Sequence, residues 1–329
     1  MPSLAPAIAE VRLAVRTALA DLPEGAALVV ALSGGPDSLA LAAATAFEAP
    51  RLGLRPTALI VDHGMQRASA EVAEAAARAA SALALDPRIV RVEVAGEGGP
   101  EAAARTARYR ALRDAAADRG AAAVLLGHTL DDQAETVLLG LARGAGATSL
   151  QGMPPTRTDD DGVRWLRPLL GVRRATTRAF CAAAELAAWD DPHNLDDRFA
   201  RVRVRERALP VLEAELGPGV AEALARTAEQ LREDAEAFDE IIHETIEDIV
   251  EHAEAGISVS VAALAANPAA LRHRIIRLVV DSEFGASLTR LQTLEVARLV
   301  TDWSGQGPID LPGCSAARRG AHLVFTART

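Results

Sequence analysis

The stretch Ser33-Gly34-Gly35-Pro36-Asp37-Ser38 follows the apolar run 26–32 and precedes the helix-like run 39–44. A buried strand that feeds a glycine-rich turn and a helix start points backbone N–H groups at one place. The positive end of the helix dipole points there too. Such a place suits a phosphate, so the stretch predicts a nucleotide site.

The chain contains no lysine, and its 35 lysine-plus-arginine residues are all arginines. A Walker-type loop needs a lysine that reaches the outer phosphates, so P-loop and kinase-like sites are excluded. The glycines and serine hydroxyls of the stretch are expected to wrap a pyrophosphate. Asp37 is expected to hold Mg²⁺, which takes oxygen ligands beside phosphates. This pattern resembles the PP-loop of ATP pyrophosphatases, which attack the α-phosphate of ATP and release pyrophosphate.

The length of 329 residues is typical of two domains. No apolar run is long enough to span a membrane, and the N-terminus lacks the basic start of a secretory signal. Two cysteines as far apart as Cys181 and Cys314 make no disulfide framework. The sequence therefore predicts a soluble, cytoplasmic protein with no membrane partner.

Strand and helix patterns alternate after the glycine loop, which indicates a parallel sheet covered by helices on both faces. The fold class expected is therefore α/β. Ligands of such sheets bind beyond the carboxyl ends of the strands. Three strand ends are expected to meet in one crevice, and they carry Ser33, Asp62, His63, Gly127 and His128. The predicted strands cover residues 26–32, 57–61, 88–94 and 122–126, and the predicted helices cover 68–85, 101–117 and 131–141.

The break Leu216-Gly217-Pro218-Gly219 predicts a boundary between a nucleotide-binding domain, 1–216, and a smaller, mainly helical domain, 217–329. Helices are expected over 174–187, 220–253, 269–282 and 287–301, and one or two helices over 198–215. A polar hairpin tip or loop is expected over 154–163, and a terminal hairpin over 309–326.

Charge is distributed in blocks, although the net charge of the chain is −10. Residues 213–254 hold 14 acids and two arginines, whereas residues 164–207 hold ten arginines and six acids. Because local blocks of charge steer a polyanion more than the total does, an RNA partner is compatible with the arginine-rich segment.

Four further stretches accompany the glycine loop in order, which makes five motifs: 61–64, 101–109, 127–136 with its continuation through 141–146 to 150–154, and 191–194. Together they resemble the tRNA(Ile)-lysidine synthetase family, most clearly over residues 26–216. The resemblance implies a ligase that uses ATP and Mg²⁺ to join free L-lysine to the wobble cytidine of a CAU-anticodon isoleucine tRNA. The cytidine is adenylated, pyrophosphate and AMP leave, and the product lysidine changes the codon read from AUG to AUA. The resemblance also favours a homodimer.

Asp132 and Glu135 lie three residues apart and so share one helix face, where carboxylates suit both binding and deprotonation of an ammonium group. Asp131 is expected only to favour the helix dipole. The resemblance implies catalytic roles for Asp37, Asp132 and Glu135, with Asp37 as the metal ligand. It implies ATP binding by Ser33, Gly34, Gly35, Pro36, Asp37, Ser38, His63, Gly127 and His128; lysine binding by Asp132, Glu135 and Arg105; and tRNA binding by Arg108, Arg143, Asn194, Arg201, Arg203 and Arg205. The domain 1–216 is then the catalytic one, and the domain 217–329 is expected to contact the tRNA.

Two other functions use the same loop. A tRNA thiolase adenylates a base but needs grouped cysteines or a persulfide-bearing cysteine, and Cys181 and Cys314 are isolated in the sequence. A non-catalytic module would bind ATP and contact a partner through the acidic segment 213–254. Consumption of ATP only in the presence of both tRNA and lysine distinguishes the synthetase from these two.

Overall fold

The computed structural model describes residues 4–64, 69–94, 99–144, 146–191, 196–253 and 256–328. Two compact units, Met1–Arg232 and Glu233–Thr329, divide the chain inside the helix α10, Val220–Ile249. This division lies beyond the boundary predicted at 216/217 because Ala221, at the start of that helix, packs with Leu130, Ala134 and Leu209 of the first unit. The assignment of functions to 1–216 and 217–329 stays a prediction.

The first unit is built on a six-stranded sheet with strand order β3-β2-β1-β4-β6-β5. All neighbouring strands run parallel except β5 and β6, which form an antiparallel hairpin across the predicted polar excursion. The strands are β1 (Ala27–Ala31), β2 (Arg55–Asp62), β3 (Asp86–Arg91), β4 (Ala121–Leu125), β5 (Thr156–Thr158) and β6 (Arg164–Leu166).

Side chains of β1 alternate between two buried layers, as the period of a strand requires. Leu28 and Val30 pack in a core with the helices α1, α2, α3 and α7, and Val29 packs in a second core with α4. The prediction of a parallel sheet with helices on both faces is therefore confirmed. The helices of this unit are α1 (Pro6–Leu19), α2 (Pro36–Glu48), α3 (Ser69–Ala82), α4 (Pro100–Arg119), α5 (Leu130–Ala142), α6 (Ala147–Leu150), α7 (Arg174–Ala183), α8 (Ala200–Arg203) and α9 (Leu209–Leu216).

The second unit combines helices with a five-stranded antiparallel sheet of order β7-β8-β11-β10-β9. The predicted helix 220–253 is too long, because α10 ends at Ile249 and residues 250–253 form β7 instead. The predicted terminal hairpin is confirmed as β10 and β11. The other elements are β7 (Val250–Ala253), β8 (Gly256–Ser260), α11 (Val261–Ala266), α12 (Ala269–Phe284), α13 (Arg290–Thr301), β9 (Ile309–Asp310), β10 (Cys314–Arg319) and β11 (His322–Ala327).

Within the described ranges, no helix combines the length and the apolar character needed to cross a membrane.

Candidate active site

The glycine loop at the end of β1 is held by its own serines. Ser33 N–H donates to Ser38 Oγ over 3.1 Å, the two hydroxyl oxygens lie 3.0 Å apart, and Ser38 Oγ donates to the Gly35 carbonyl over 3.0 Å. Gly34 has a φ of 85°, a left-handed conformation that favours glycine. The Gly34 carbonyl accepts a 3.0 Å hydrogen bond from Trp189 N–H, so the loop has one fixed shape.

The start of α2 lies inside this loop. The helix begins at Pro36, earlier than the predicted start at residue 39, and no side chain caps it because its N-cap residue is Gly35. The first N–H groups of a helix have no partner within the helix. The predicted phosphate cradle is therefore available at the end of β1, with Asp37 in the first helical turn.

Gly127, after β4, lies against the start of α2. A Cβ atom at this position would stand 3.1 Å from Ser38 Cα and 3.2 Å from the Asp37 carbonyl carbon and oxygen. Only glycine allows this approach without a shift of the backbone, so the ends of β1 and β4 converge as the sequence predicts.

Three carboxylates gather around the side chain of Arg174, the first residue of α7. Its Nε lies 3.4 Å from Asp37 Oδ2, one terminal nitrogen 2.8 Å from Asp132 Oδ1, and the other 3.1 Å from Glu135 Oε1. We call these three acids the acid cluster; they are the residues predicted to be catalytic. One guanidinium therefore sets the spacing of all three.

Glu135 is completely buried and contacts arginines through both carboxylate oxygens. Arg205 donates from Nε to Oε1 over 2.7 Å and from a terminal nitrogen to Oε2 over 3.1 Å. Arg201 Nε lies 3.8 Å from Oε2, and its terminal nitrogen donates to Thr136 over 3.0 Å. A short π-helical turn over 204–208 follows α8, which ends at Arg203.

Asp132 also closes the N-terminus of α5. Its Oδ2 accepts from Thr129 N–H over 2.8 Å, and Thr129 Oγ1 accepts from Asp132 N–H over 3.4 Å, which is a capping box. The prediction that Asp131 only favours the helix dipole is incomplete. Asp131 accepts the backbone N–H of Arg174 over 2.7 Å and pairs with Arg173 over 3.2 Å, so it fixes the start of α7.

Burial and pairing act on these carboxyl groups in opposite directions. Burial raises the pKa of Asp37, although Thr177 and Arg174 favour its charged form. Burial also works to raise the pKa of Asp132, but the charge of Arg174 and the Thr129 N–H outweigh it, so the net pKa is lowered. An additional cation would therefore stabilise the charged form of Asp37 more than that of Asp132.

Both predicted histidines sit at strand ends with a buried Nδ1 that has no hydrogen-bond partner among the described residues. Burial lowers the pKa of His128 to about 3, and burial together with the charge of Arg108 lowers the pKa of His63. Both rings are therefore neutral near pH 7, and each has a polar atom that a ligand can use.

The arginines of α4 lie apart from the acid cluster. Arg105 is exposed and donates to Tyr109 Oη over 3.3 Å, so the structure does not bring this predicted lysine ligand into contact with Asp132 or Glu135. Among the described residues, no carboxylate pairs with Arg108, whose pKa is lowered by burial and further by Arg105 and Arg201. Arg167, at the end of β6, is buried and donates to the Pro154 carbonyl over 2.8 Å.

The remaining predicted tRNA contacts lie in different places. Arg143 is exposed at the end of α5, and Arg203 is held by the carbonyls of Asp197 and Arg198 at 2.7 and 2.8 Å. Arg203 thus diverges from Arg201 and Arg205, as their spacing predicts. Asn194 lies outside the described residues.

Sequence reasoning missed Arg174, Thr177 and Arg167. Thr177 Oγ1 donates to Asp37 and, over 2.8 Å, to the Arg174 carbonyl. Their positions in the sequence could have pointed to two of them. Arg167 directly follows a short strand, and Arg174 begins a predicted helix in a segment rich in arginine. Only the sheet order shows that this segment faces the glycine loop.

A parallel sheet with a lysine-free glycine loop at one strand end and clustered acids beside it defines an ATP-using enzyme of the PP-loop class. The family model described as the PP-loop domain matches residues 9–212, and the one described as the TilS substrate binding domain matches residues 260–324. The chain is 60% identical to the tRNA(Ile)-lysidine synthase of Leifsonia xyli subsp. xyli, over 94% of this chain and 92% of that protein. It is 51% identical to the tRNA(Ile)-lysidine synthase of Thermobifida fusca, over 95% of each chain. The chain belongs to the tRNA(Ile)-lysidine synthase family.

A solved U34-tRNA thiolase from Methanococcus maripaludis, which holds a [4Fe-4S] cluster, shares the fold. It superposes with a TM-score of 0.60 over 69% of this chain and 80% of its own, at 21% identity. The present chain has two cysteines, both buried, one in each compact unit. Burial raises the pKa of Cys181 to about 11, which disfavours the reactive thiolate. The thiolase alternative therefore has little support.

Proposed function

We propose that this enzyme joins free L-lysine to the 2-position of the wobble cytidine in the CAU-anticodon isoleucine tRNA, at the expense of ATP. The observation that carries the proposal is that the phosphate cradle and the acid cluster share Asp37. Asp37 lies in the first turn of α2 beside the loop glycines. It contacts Arg174, which also holds Asp132 and Glu135. An adenylating site and an amine site are therefore adjacent.

In the first step the cytidine 2-oxygen attacks the α-phosphorus of ATP, and the bond to the bridging oxygen of pyrophosphate breaks. Negative charge accumulates on the phosphate oxygens. The N–H groups at the start of α2 and of the Gly34-Gly35 turn are fixed before the reaction, so they stabilise this charge without reorganisation. The neutral His63 and His128 offer hydrogen bonds from the neighbouring strand ends.

Asp37 would hold Mg²⁺. The residues fit, because Mg²⁺ is commonly bound by one or two carboxylates together with substrate phosphates and waters, and the burial of Asp37 makes a cation favourable beside it. When bound, Mg²⁺ neutralises charge on the phosphates. Among the described residues no group of three or more acidic, histidine or cysteine side chains is arranged so that it could hold a metal ion by itself.

In the second step the lysine ε-amine attacks the activated ring carbon, AMP leaves with the former 2-oxygen, and the amine loses its protons. We assign Asp132 and Glu135 to the ammonium form of this amine. Glu135 is buried, and both of its carboxylate oxygens already contact arginines. An ammonium group that reaches Glu135 must therefore displace one of these contacts. Arg201, whose Nε lies 3.8 Å from Glu135 Oε2 against 3.1 Å for Arg174 and 2.7 Å for Arg205, is the most weakly held of these partners and is the group expected to yield.

We assign two arginines of the first unit, Arg108 and Arg143, to contacts with the tRNA. Arg108 and Arg143 have no carboxylate partner among the described residues and are free to contact phosphates, which position an RNA without reading its sequence. The assignments of Asn194, Arg201, Arg203 and Arg205 to tRNA and of Arg105 to lysine stay predictions. So do a homodimer and a cytoplasmic location.

The test is a reconstituted reaction with purified enzyme, ATP, radiolabelled lysine and an unmodified transcript of the isoleucine tRNA. Label is expected in the tRNA, with AMP released only when both tRNA and lysine are present. AMP release that is independent of lysine, or label that stays free in solution, would overturn the proposal. A transcript with uridine at the wobble position is the matched negative substrate.

A further inference from the structure

Arg167 is a buried arginine with no role in either step of the proposed reaction. It directly follows β6, which runs parallel beside β4, so it lies at the same edge of the sheet as Gly127. Only 6% of its surface is exposed. One terminal nitrogen donates to the Pro154 carbonyl over 2.8 Å, whereas Nε is buried and has no hydrogen-bond partner among the described residues. One N–H of this guanidinium is therefore available to a ligand.

Hydrogen bonds connect Arg167 to α5, the helix that carries two residues of the acid cluster. Gln133 of α5 donates to the Met153 carbonyl over 2.9 Å and accepts from Met153 N–H over 2.7 Å. Met153 adjoins Pro154, the residue whose carbonyl accepts from the Arg167 guanidinium. Because Gln133 lies between the two acids of α5 in the sequence, these bonds fix the guanidinium relative to those acids.

Positive charge accumulates around Arg167. Arg105 donates to the Tyr109 hydroxyl over 3.3 Å, and its guanidinium carbon lies 4.9 Å from the centre of the Tyr109 ring. Burial lowers the pKa of Arg167, although Tyr109 acts in the opposite direction. The charges of Arg105 and Arg157 lower that pKa further. Among the described residues no carboxylate pairs with Arg105 or Arg167, so an anion from outside the chain would relieve the repulsion.

The position and burial of Arg167 decide which kind of anion can reach it. The phosphates of ATP are assigned to the loop after β1, and β4 separates β1 from β6 in the sheet. Because neighbouring strands lie about 4.8 Å apart, Arg167 stands roughly two strand spacings from the phosphate cradle. A bulky tRNA backbone does not reach a buried guanidinium. Arg105 is exposed and held by one 3.3 Å bond, so it can move aside for a small anion.

Free lysine presents such an anion together with two amines. Its ε-amine must reach the activated ring carbon, whereas its α-amine, which loses a proton more easily, must be kept away from it. An enzyme that anchors the α-carboxylate holds the α-amine at the far end of the molecule. The acid cluster supplies negative charge for the ε-ammonium, and Arg167 with Arg105 supplies positive charge for the carboxylate. The two sets of charges therefore match a dipolar amino acid.

We propose that Arg167, with Arg105 beside it, binds the α-carboxylate of lysine and thereby selects the ε-amine as the nucleophile. The proposal rests on the proposed function, because it takes lysine as the amine. The forked N–H groups of a guanidinium match the two oxygens of a carboxylate. Arg105, predicted to bind lysine, then contacts the carboxylate end, which agrees with its position apart from Asp132 and Glu135.

The test compares the affinities of the full chain for radiolabelled lysine and for lysinamide, in which a neutral amide replaces the carboxylate. Both are measured by equilibrium dialysis. We expect the wild-type enzyme to bind lysine about ten- to a hundredfold more tightly, as a hydrogen-bonded charged group commonly contributes. In Arg167→Gln lysine should bind as weakly as lysinamide, whose own affinity should change little. The control is Arg157→Gln, an exposed arginine of β5 whose charge also acts on Arg167, and it should keep the preference.

Three outcomes would overturn the proposal. The first is equal affinity of the wild-type enzyme for the two amines, including no measurable binding of either. The second is an equal loss for both ligands in Arg167→Gln, which shows a structural role. The third is an unchanged lysine affinity in Arg167→Gln with a higher KM for ATP, which identifies a phosphate contact.

Circular dichroism shows whether Arg167→Gln folds. If it does not, Arg167→Lys takes its place, because it keeps the charge but loses the fork. This variant should lose most of the preference for lysine over lysinamide, and an undiminished preference would refute the carboxylate site.

The carboxylate site and the proposed function fail in different ways. Transfer of lysine to tRNA by the wild-type enzyme, with the full preference retained in Arg167→Gln, counts only against the carboxylate site. A preference for lysine that disappears in Arg167→Gln, in an enzyme that transfers no label to tRNA, counts only against the proposed function.

Discussion

The acid cluster of the first unit and a cleft in the second unit use arginine in opposite ways. This cleft, which we call the C-terminal cleft, lies between α12 and α13, and its lining includes His273, Arg274, Arg277 and Arg290. At the acid cluster, Arg174 and Arg205 are paired at 2.7 to 3.1 Å with Asp132 and Glu135. In the C-terminal cleft, Arg277 and Arg290 are exposed and face no carboxylate that lines the cleft. Paired, buried arginines fix the geometry of neighbouring acids, whereas exposed ones attract a polyanion. Substitutions at the acid cluster are therefore expected to affect both chemistry and stability.

The largest effect is expected from Asp37→Ala. The variant loses the proposed metal ligand and the carboxylate between cradle and cluster, so pyrophosphate release should fall to background. The assay is pyrophosphate release with saturating tRNA, and Asp21→Ala, an exposed acid near the end of α1, is the control. Normal turnover of the Asp37 variant would refute the metal-holding role.

The second-largest effect is expected from the substitution Arg174→Met. Removing one partner of a buried ion pair commonly costs about 3–5 kcal/mol of stability, and misplacing the acids should lower kcat by about 100-fold. Denaturant unfolding and single-turnover kinetics measure the two effects. Arg173→Met is the neighbouring control, since Arg173 pairs with Asp131 and Glu222 outside the acid cluster.

If the variant Arg174→Met does not fold, the variant Arg174→Lys can be measured in its place. It keeps the charge but cannot reach three carboxylates at once, so stability should largely recover while kcat stays low. Full recovery of kcat would show that Arg174 supplies charge alone and does not space the acids.

Glu135→Gln should raise the KM for lysine by about tenfold, a loss of roughly 1.4 kcal/mol, with a smaller change in the KM for ATP. The physical reason is that the amide keeps the shape of the side chain but loses the charge that attracts an ammonium. Glu229→Gln, an exposed position on α10, is the control. An unchanged lysine dependence would remove Glu135 from the amine site.

Gly127→Ala tests how tightly the crevice is packed. The new Cβ would press on backbone atoms of Asp37 and Ser38 at 3.1 to 3.2 Å, so the cradle must shift and the KM for ATP should rise severalfold. Gly171→Ala is a matched control, because a Cβ there meets nothing within 4 Å. Similar KM values for both variants would show that the loop tolerates displacement.

The smallest effect concerns His128 and pH. Its folded pKa of about 3 lies below its ordinary value of 6.5, so the unfolded chain binds the extra proton first as pH falls. Stability should therefore decrease from pH 7 to 6, by roughly 0.7 kcal/mol for this group. The free energy of unfolding should depend less steeply on pH in the variant His128→Gln. Urea unfolding at several pH values measures it, and an unaltered slope would contradict a buried neutral ring.

Much of the first unit could be predicted from the sequence because its signals are local. The glycine loop, the apolar strands and the alternation of strand and helix each span a few residues, and their order defines the sheet. The strand β7 was missed because residues 250–253 continue the helical period of α10, and the structure shows them paired with β8. That pairing depends on residues distant in the sequence.

The acid cluster was predictable only in part. Asp132 and Glu135 are three apart on one helix, so their shared face is a property of spacing. Arg174 lies 137 residues from Asp37 along the chain, and no periodicity links the two. The contact arises because Asp131 holds the backbone of Arg174 at the start of α7, which is a tertiary arrangement.

The backbone N–H of Trp189 bonds to the Gly34 carbonyl, so a tryptophan residue adjoins the cradle. The other two tryptophans are Trp165, buried in the sheet, and Trp303, in the second unit. The enzyme thus contains its own optical reporter: occupancy of the loop by ATP should change the emission of a single indole. Nucleotide affinity is then measurable by titration without a label, a tRNA or turnover.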